Sequence, residues 1–484
     1  MVAAKVLDQD GFEVTVFERE AELGGVWARS RSYPGLRANT PREMYAFSDH
    51  AYPPGTDDFP KAGQIRKYLD SYVERFDLRH RLRFSTEVAS VRRMPEHGAG
   101  AAPFRVRVRP AGRHDRKRTT GESLCFDRVA VCSGVFSEPF IPSITGRERF
   151  RGTVIHSSRF TDPGDLHGKR VVVVGAGKSA LDCASAVAHG GGECTLVVRT
   201  PNWMVPRYFF GSVRMDRLFA TRFAEIIQPP YHRPGRWTAR LHRWARPLLR
   251  AWWAAQTRLI PRLSRMPPSM VPATPLPGGL EKSGVGTEFY RFLQEGHVRV
   301  ERGSVAAFLS ERTLRLDSGR ELEADQVVLA TGWRQDLWFL DRELRRAVLK
   351  DGRLHLYRGI LPPRARDLGF IGAASSTACP LTSEMGAHWL SHVFQKKVEL
   401  PSVEGMEAEV ARVHRWLSAT FPARDEGHFI GPYVAHYVDE LLEDMGLRTR
   451  RAQNPVAEYL SPLWPSRYRG VAAERRGEPF RWGS

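Results

Sequence analysis

Four consecutive valines, Val171 to Val174, run straight into Gly175-Ala176-Gly177-Lys178-Ser179-Ala180. This junction restricts the fold more than any other stretch of the chain. An unbroken β-branched run suits a parallel strand buried on both faces. Gly175 permits the tight turn out of the strand, and Gly177 lets the backbone approach a pyrophosphate. The small Ala180 lets the following helix, expected to run to about Ala188, pack closely on the strand. The positive end of that helix favours the negative charge. A further strand at Cys194 to Val198 completes a strand–helix–strand unit and ends in Arg199-Thr200. A carboxylate there would accept hydrogen bonds from a ribose hydroxyl, whereas a cation suits the additional phosphate of NADPH. Gly175, Gly177, Lys178, Ser179, Ala180, Arg199 and Thr200 are therefore the expected NADPH contacts.

A second nucleotide site is expected nearer the N-terminus. Residues 2–9 read as the end of a helix stopped at Gly11, and Glu13 to Glu18 as a short strand closing on an acid. Glu18 stands where a carboxylate would hold an adenosine ribose. Six residues on come Gly24-Gly25-Val26-Trp27, where glycines let the chain pass close to a bulky cofactor. Gly24, Gly25 and Trp27 join Glu18 as expected contacts. Short strands follow at Leu82–Phe84, Phe104–Val108 and Arg128–Cys132, with Gly-, Arg- and Pro-rich stretches between them. Residues 297–331 repeat that style. Cys132-Ser133-Gly134 and Ala330-Thr331-Gly332 both end strands in small residues, as crossovers between two units would; Thr331 and Gly332 complete the cofactor set. The expected fold is α/β with two dinucleotide-binding, Rossmann-like domains, the NADPH domain inserted in the other. The boundaries read as 1–145, 165–325 and 326–484, with a helical insertion at about 208–270.

Composition narrows the partners. The 484 residues exceed one hydrophobic core. No apolar run approaches the ~20 residues of a membrane span, and Lys5, Asp8 and Asp10 argue against a secretory signal. The five cysteines form no C-x-x-C, which excludes a zinc ribbon or a dithiol pair. A cytoplasmic location is expected, with no metal site. The net charge of +19 favours anionic partners, but arginine is spread along the whole chain, and no nucleic-acid-binding signature accompanies it. Residues 208–270 differ: Trp244, Trp252 and Trp253 stand among Arg243, Arg246, Arg250 and Arg258. The preferred reading is an inserted helical subdomain with tryptophans in its core. Contact with a membrane surface or an acidic carrier protein is the alternative.

Phe150-x-Gly152-x-x-x-His156-x-x-x-Phe160, just before the Gly175 motif, resembles the fingerprint of the flavin-containing monooxygenases, class B flavoproteins related to Baeyer–Villiger monooxygenases. Leu36 to Met44 resembles the segment bearing that family's active-site asparagine, here Asn39. Phe59-Pro60 and the helix from Gln64 to Leu78, Ala330 to Trp333, and Gly372 to Trp389 resemble further family segments. The resemblance implies FAD and NADPH as cofactors, with O2 and a small molecule as substrates. It also implies oxygen transfer through a flavin C4a-hydroperoxide protected from water. Asn39 and His156 are the implied catalytic residues.

Three alternatives stand beside N- or S-oxygenation. Baeyer–Villiger oxidation of a ketone is disfavoured because Asn39 follows Tyr33-Pro34-Gly35 where that branch usually carries Asp, and because Phe160 replaces its usual Trp. A disulfide reductase lacks its cysteine pair. A degenerate, non-catalytic nucleotide-binding protein is the third. It arises because the family's first strand and Gly-x-Gly-x-x-Gly loop are expected just before Ala3. A start codon upstream by roughly fifteen to twenty residues, or weak FAD binding, is the corresponding expectation.

Overall fold

The computed structural model describes residues 1–94, 103–112, 121–286, 288–421 and 428–478. Five parallel strands form its largest sheet, in the spatial order Val298–Arg302, Glu193–Val198, Arg170–Val174, Gln326–Leu329, Thr153–His156. The valine run shows why this sheet is buried on both sides. Val171 and Val173 pack with Leu181, Ala184 and Val187 of helix Lys178–His189. Val172 faces the opposite way, onto Leu314, Leu316 and Val327, as the two-residue alternation of a strand requires. A three-stranded antiparallel sheet, Val305–Phe308, Thr313–Leu316 and Glu321–Glu323, supplies that second cover. Strands Thr153–His156 and Gln326–Leu329 carry the sheet past the expected limits of 165 and 325.

The second Rossmann-like unit is built from segments on both sides of this one in sequence. Val16–Phe17 pairs in parallel with Leu82–Arg83, and Val129–Val131 with the distant Leu368–Phe370. The strand expected over Glu13–Glu18 thus narrows to two residues. Thr86–Arg93, Phe104–Pro110 and Glu122–Phe126 form an antiparallel sheet. Residues 95–102 and 113–120, within the Gly- and Arg-rich stretches, lie outside the described residues. Helix Val2–Gln9 packs on helix Cys379–Phe394. There the buried Lys5 ammonium lies 2.5 Å from Asp49 and 3.7 Å from Glu384. Ser48 donates to Glu384 from both its amide and its hydroxyl, at 2.8 Å each.

The chain passes between the units twice, and the two passages pair. Glu138–Pro139 runs antiparallel to Trp333–Arg334, the Phe140 amide donates to the Gly332 carbonyl at 2.9 Å, and the Thr331 hydroxyl donates to the Phe140 carbonyl.

Residues 208–270 hold helices Asp216–Phe219, Arg222–Ile227, Arg236–Trp244 and Arg246–Leu263, as expected, after a small hairpin of Tyr208–Phe209 and Val213–Arg214. The expected tryptophan core is not there. Trp253 is buried against Trp203, Ile260 and Leu276, but Trp237, Trp244 and Trp252 are 80%, 82% and 46% exposed. The cause is helix orientation. His242 donates to the Ile226 carbonyl at 2.8 Å, which turns the polar side of helix Arg236–Trp244 inward and its tryptophans out. Among the described residues, no helix is long and apolar enough to cross a membrane.

Candidate functional site

The loop after the valine strand is built for close approach. Gly175 has φ 143°, and a Cβ there would lie 2.3 Å from the Ala330 carbonyl oxygen and 3.3 Å from the Ala180 Cβ. Any side chain would push the loop off the second interdomain passage, so glycine is required. Gly177 is the N-cap of helix Lys178–His189, and nothing lies within 4 Å of where its Cβ would be. Lacking a capping side chain, it leaves the amides of the first turn open, and the positive end of the helix faces that space. This is a cradle that a pyrophosphate fits. Arg199 and Thr200 are exposed at the end of strand Glu193–Val198, whose Val197 pairs with Val174. The strand tip bearing the cation therefore stands beside the glycine loop, where a ribose 2′-phosphate would be met.

Lys178 does not point into that cradle. Its ammonium pairs with Asp182, one helical turn on, and burial lowers its pKa while Asp182 works against that. Asp182 also accepts from the Tyr33 hydroxyl at 3.1 Å, and Ser179 hydrogen-bonds the same hydroxyl. Burial, then the Asp182 charge, raises the Tyr33 pKa and keeps it a donor. Tyr33 belongs to the FAD-side segment that leads to Asn39, so this cluster ties the NADPH helix to the other domain. Sequence reading missed Asp182. The signal was available: Lys178 and Asp182 are opposite charges four residues apart on a helix that is otherwise apolar.

On the FAD side, Glu18 follows strand Val16–Phe17. Its carboxylate accepts from the Glu20 amide at 2.8 Å, leaving its remaining lone pairs for a ribose. The α-amino group of Met1, at the start of helix Val2–Gln9, has its pKa lowered by burial, with Cys132 and Glu18 opposing. The positive end of that helix and the tips of strands Val16–Phe17 and Val129–Val131 thus converge, as a dinucleotide site needs. Gly24 and Gly25 have φ of 130° and 56°, and a Cβ on Gly24 would lie 2.9 Å from the Ala28 amide nitrogen. The Trp27 indole donates to Tyr45 at 2.9 Å, and Tyr45 in turn hydrogen-bonds Cys379 at the head of helix Cys379–Phe394. Segments some 350 residues apart are joined here. Asn39 is exposed, between buried Ala38 and Thr40. Its loop is fixed by the Ala38 amide donating to Pro60 at 2.9 Å and by the Arg37–Asp57 ion pair at 2.9 Å.

His156 ends strand Thr153–His156 and is buried. The Ser158 amide donates to Nδ1 at 3.2 Å, which leaves the proton on Nε2, and Nε2 donates to the Gly332 carbonyl at 3.0 Å. Burial lowers its pKa, the Gly332 bond opposes and Arg31 adds to the lowering, so the ring is neutral. Trp333 packs edge-on at 5.0 Å, with the Arg31 guanidinium 4.7 Å over the Trp333 ring. Nδ1 anchors the ring to its own turn at Ser158, and Nε2 fixes the Gly332 carbonyl of the crossover that carries Thr331.

These features have relatives. A family model described as flavin-binding monooxygenase-like matches residues 1–239 and 283–452. A probable flavin-containing monooxygenase 1 from Arabidopsis thaliana is 31% identical, over 94% of this chain and 92% of its own length. A dimethylaniline monooxygenase (N-oxide-forming) 2 from Mus musculus is 27% identical, over 93% of this chain and 81% of its own. An open crystal structure of cyclohexanone monooxygenase shares the fold, with a TM-score of 0.66 at 18% identity over 91% of this chain and 94% of that one. The family match over most of its length places this chain, with its two glycine-built nucleotide sites, in the flavin-binding monooxygenase-like family, as a flavin-dependent enzyme of FAD and NADP(H).

Proposed function

We propose that this monooxygenase transfers one oxygen atom from O2 to a nitrogen or sulfur atom of a small molecule. The observation that carries the reading is the joint between the two sites. Gly175 is pressed against Ala330, while Tyr33, on the segment leading to Asn39, is bonded to Asp182 of the NADPH helix. Two bound cofactors would therefore be held against each other. The balanced reaction is substrate + O2 + NADPH + H⁺ → oxide + NADP⁺ + H2O. NADPH would supply the hydride there and FAD the route for its electrons to O2.

The chain's own residues bind, orient and exclude water. Gly175, Gly177, Ser179, Ala180 and the first turn of helix Lys178–His189 hold the NADPH pyrophosphate, with Lys178 held aside by Asp182. Arg199 and Thr200 take the 2′-phosphate. Glu18 holds the FAD ribose, Gly24 and Gly25 let the backbone pass against the cofactor, and Trp27 packs that loop onto Tyr45. The Asn39 amide, exposed on its loop, is available to donate and accept near the reacting atoms. His156 is a positioning residue: neutral and bonded on both sides, it fixes Thr331 and Gly332 rather than moving a proton. Two features favour a soft nucleophile over a ketone: Asn39 and Phe160 stand where the Baeyer–Villiger branch usually has Asp and Trp, and a relative carries an N-oxide-forming name.

The test is product analysis with NADPH, added FAD and three substrates: N,N-dimethylaniline, thioanisole and cyclohexanone. N-oxide or sulfoxide formed in proportion to NADPH consumed supports the proposal. Lactone as the main product overturns it in favour of Baeyer–Villiger oxidation, and NADPH consumption matched only by hydrogen peroxide overturns oxygen transfer to all three. Arg199→Ala should raise the KM for NADPH about tenfold and leave that for NADH within about twofold.

A further inference from the structure

A helix lying on a globular protein normally turns its apolar stripe toward the core and its charges to water. Helix Arg236–Trp244 turns its apolar stripe to water together with its arginines, and helix Arg246–Leu263 continues its stripe. Trp237, Leu241, Trp244, Leu248 and Trp252, spaced by four, three, four and four residues, are 80%, 42%, 82%, 74% and 46% exposed. Within each of the two helices, side chains at that spacing share one face. The opposite side is the one the protein uses, with His242 bonded to Ile226 and with Trp253, Gln256 and Ile260 buried. Phe210 and Phe223, earlier in the same insertion, are also exposed, at 71% and 51%.

The charge around this stripe has one sign. No acidic residue occurs between Glu225 and Glu281. Arg236, Arg240 and Arg243 each precede a member of the stripe, and Arg246 and Arg250 flank its continuation. Among the described residues, none of these five arginines has a carboxylate partner, although ion pairs are frequent elsewhere in the chain. Arg240 instead lies 5.6 Å over the Trp237 ring.

We infer that this helix pair is a membrane-docking surface that seats the enzyme on an anionic lipid bilayer. The chemistry of such a surface matches both halves of the patch. Phosphate headgroups take the arginines, while tryptophan and leucine enter the boundary between headgroups and acyl chains, where an indole keeps its N–H in the polar layer. An acidic protein would account for the arginines but not for five exposed apolar side chains in register. The helices lie on the bilayer, since none is apolar enough to cross it. The inference does not depend on which atom the enzyme oxygenates.

Flotation of the full-length protein with vesicles tests it. Phosphatidylcholine vesicles containing phosphatidylglycerol should carry the protein up the gradient, and phosphatidylcholine alone should carry about tenfold less. A Trp237→Ser, Trp244→Ser, Leu248→Ser variant should lose about tenfold or more of the binding to anionic vesicles. Its thermal midpoint and NADPH oxidation should stay at wild-type values, because these side chains touch neither the core nor the nucleotide sites. Vesicles containing brominated lipid should quench wild-type tryptophan fluorescence, a readout that needs no variant. Three outcomes overturn the inference: no flotation of the wild type, equal flotation of the folded triple variant, or no bromine quenching. A wild-type dimer that the triple variant converts to monomer, with no flotation, assigns the patch to a second copy instead. Retention on a polyglutamate column without flotation assigns it to an acidic protein.

Discussion

The arginines of the C-terminal helical region and those of the 236–263 helix pair have the same chemistry and opposite surroundings. Arg358 is buried and reaches Asp444 at 2.8 Å, Glu409 at 2.7 Å and Glu440 at 3.0 Å. Arg222, reaching in from the insertion, is held by Asp439 and Glu458 of that region, both at 2.5 Å, and Arg475 by Asp10 at 2.5 Å. In the helix pair the arginines face water and, among the described residues, have no carboxylate partner, beside exposed tryptophans. One group ties distant segments of the fold together, Arg475 reaching back to Asp10 at the C-terminal end of helix Val2–Gln9. The other is available to a partner. A net charge of +19 is silent on this division, because it counts side chains and not their neighbours.

The sharpest break of the comparison is Arg358→Met. Burial opposes the Arg358 charge, but its hydrogen bonds to Asp444 and the Glu440 charge hold it protonated. Removing the cation takes the ion pair from Asp444 and leaves Glu409 with Arg233 and Arg412 and Glu440 with His232, which should cost about 3 kcal/mol in urea unfolding. Arg358 also has φ 54°, a conformation costing a non-glycine residue about 1–2 kcal/mol, so its ion pairs offset that strain too. A loss below about 1 kcal/mol would show that the clasp does not stabilise the fold and would erase the contrast.

The next effect is in pH. His392 is buried beside Arg475 and Lys397, and desolvation first, then those cations, bring its pKa down to about 4, with Asp10 opposing. His388 is lowered by burial, Arg475, Lys5 and His392 in the same way. A histidine whose folded pKa lies below its unfolded value stabilises fully above the unfolded pKa, near 6.5, and loses that contribution as pH falls toward 4. Glu384 acts oppositely: burial raises its pKa to about 7, with Lys5 opposing, so it gains stability as pH falls from 7 toward 4.5. Comparing wild type with His392→Asn isolates the histidine. The variant should be less destabilised between pH 7.5 and pH 5 by about 2 kcal/mol, read from urea midpoints. Parallel pH curves for the two proteins would remove the role given to the Arg475 clasp in keeping that ring neutral.

The smallest effect belongs to the exposed arginines. Glutamine at Arg236, Arg240, Arg243, Arg246 or Arg250, taken singly, should change unfolding free energy by no more than about 0.5 kcal/mol. A loss above about 2 kcal/mol at any of them would mean an interior role and would move that arginine into the first group.

Particular segments show how far the sequence could be read. The backbone of Val171 to Ala180 was legible as strand, turn and helix start, because strand burial, glycine φ and helix packing are all decided within ten residues, but the turn of Lys178 away to Asp182 was not. The crossovers at Cys132-Ser133-Gly134 and Ala330-Thr331-Gly332 were legible as strand ends, but not their pairing with each other through Glu138–Pro139 and Trp333–Arg334. The strand over Glu13–Glu18 was read too long, since β-propensity ignores how many residues find a neighbour to pair with. Trp244, Trp252 and Trp253 were read as core because tryptophan is usually buried in large part; Trp253 is, whereas the bond from His242 turns Trp244 outward and Trp252 lies on the exposed side of the next helix.

The sequence by itself determined two nucleotide-binding units and the flavoprotein class, because those signals are local and each residue's task is set by its immediate neighbours. Only the tertiary structure decided that Tyr33 meets Asp182, that His156 reaches the Gly332 carbonyl of the crossover through Nε2, and which arginines are clasps and which are exposed. Each of these depends on side chains brought together from far apart in the chain, where burial and charge act through space.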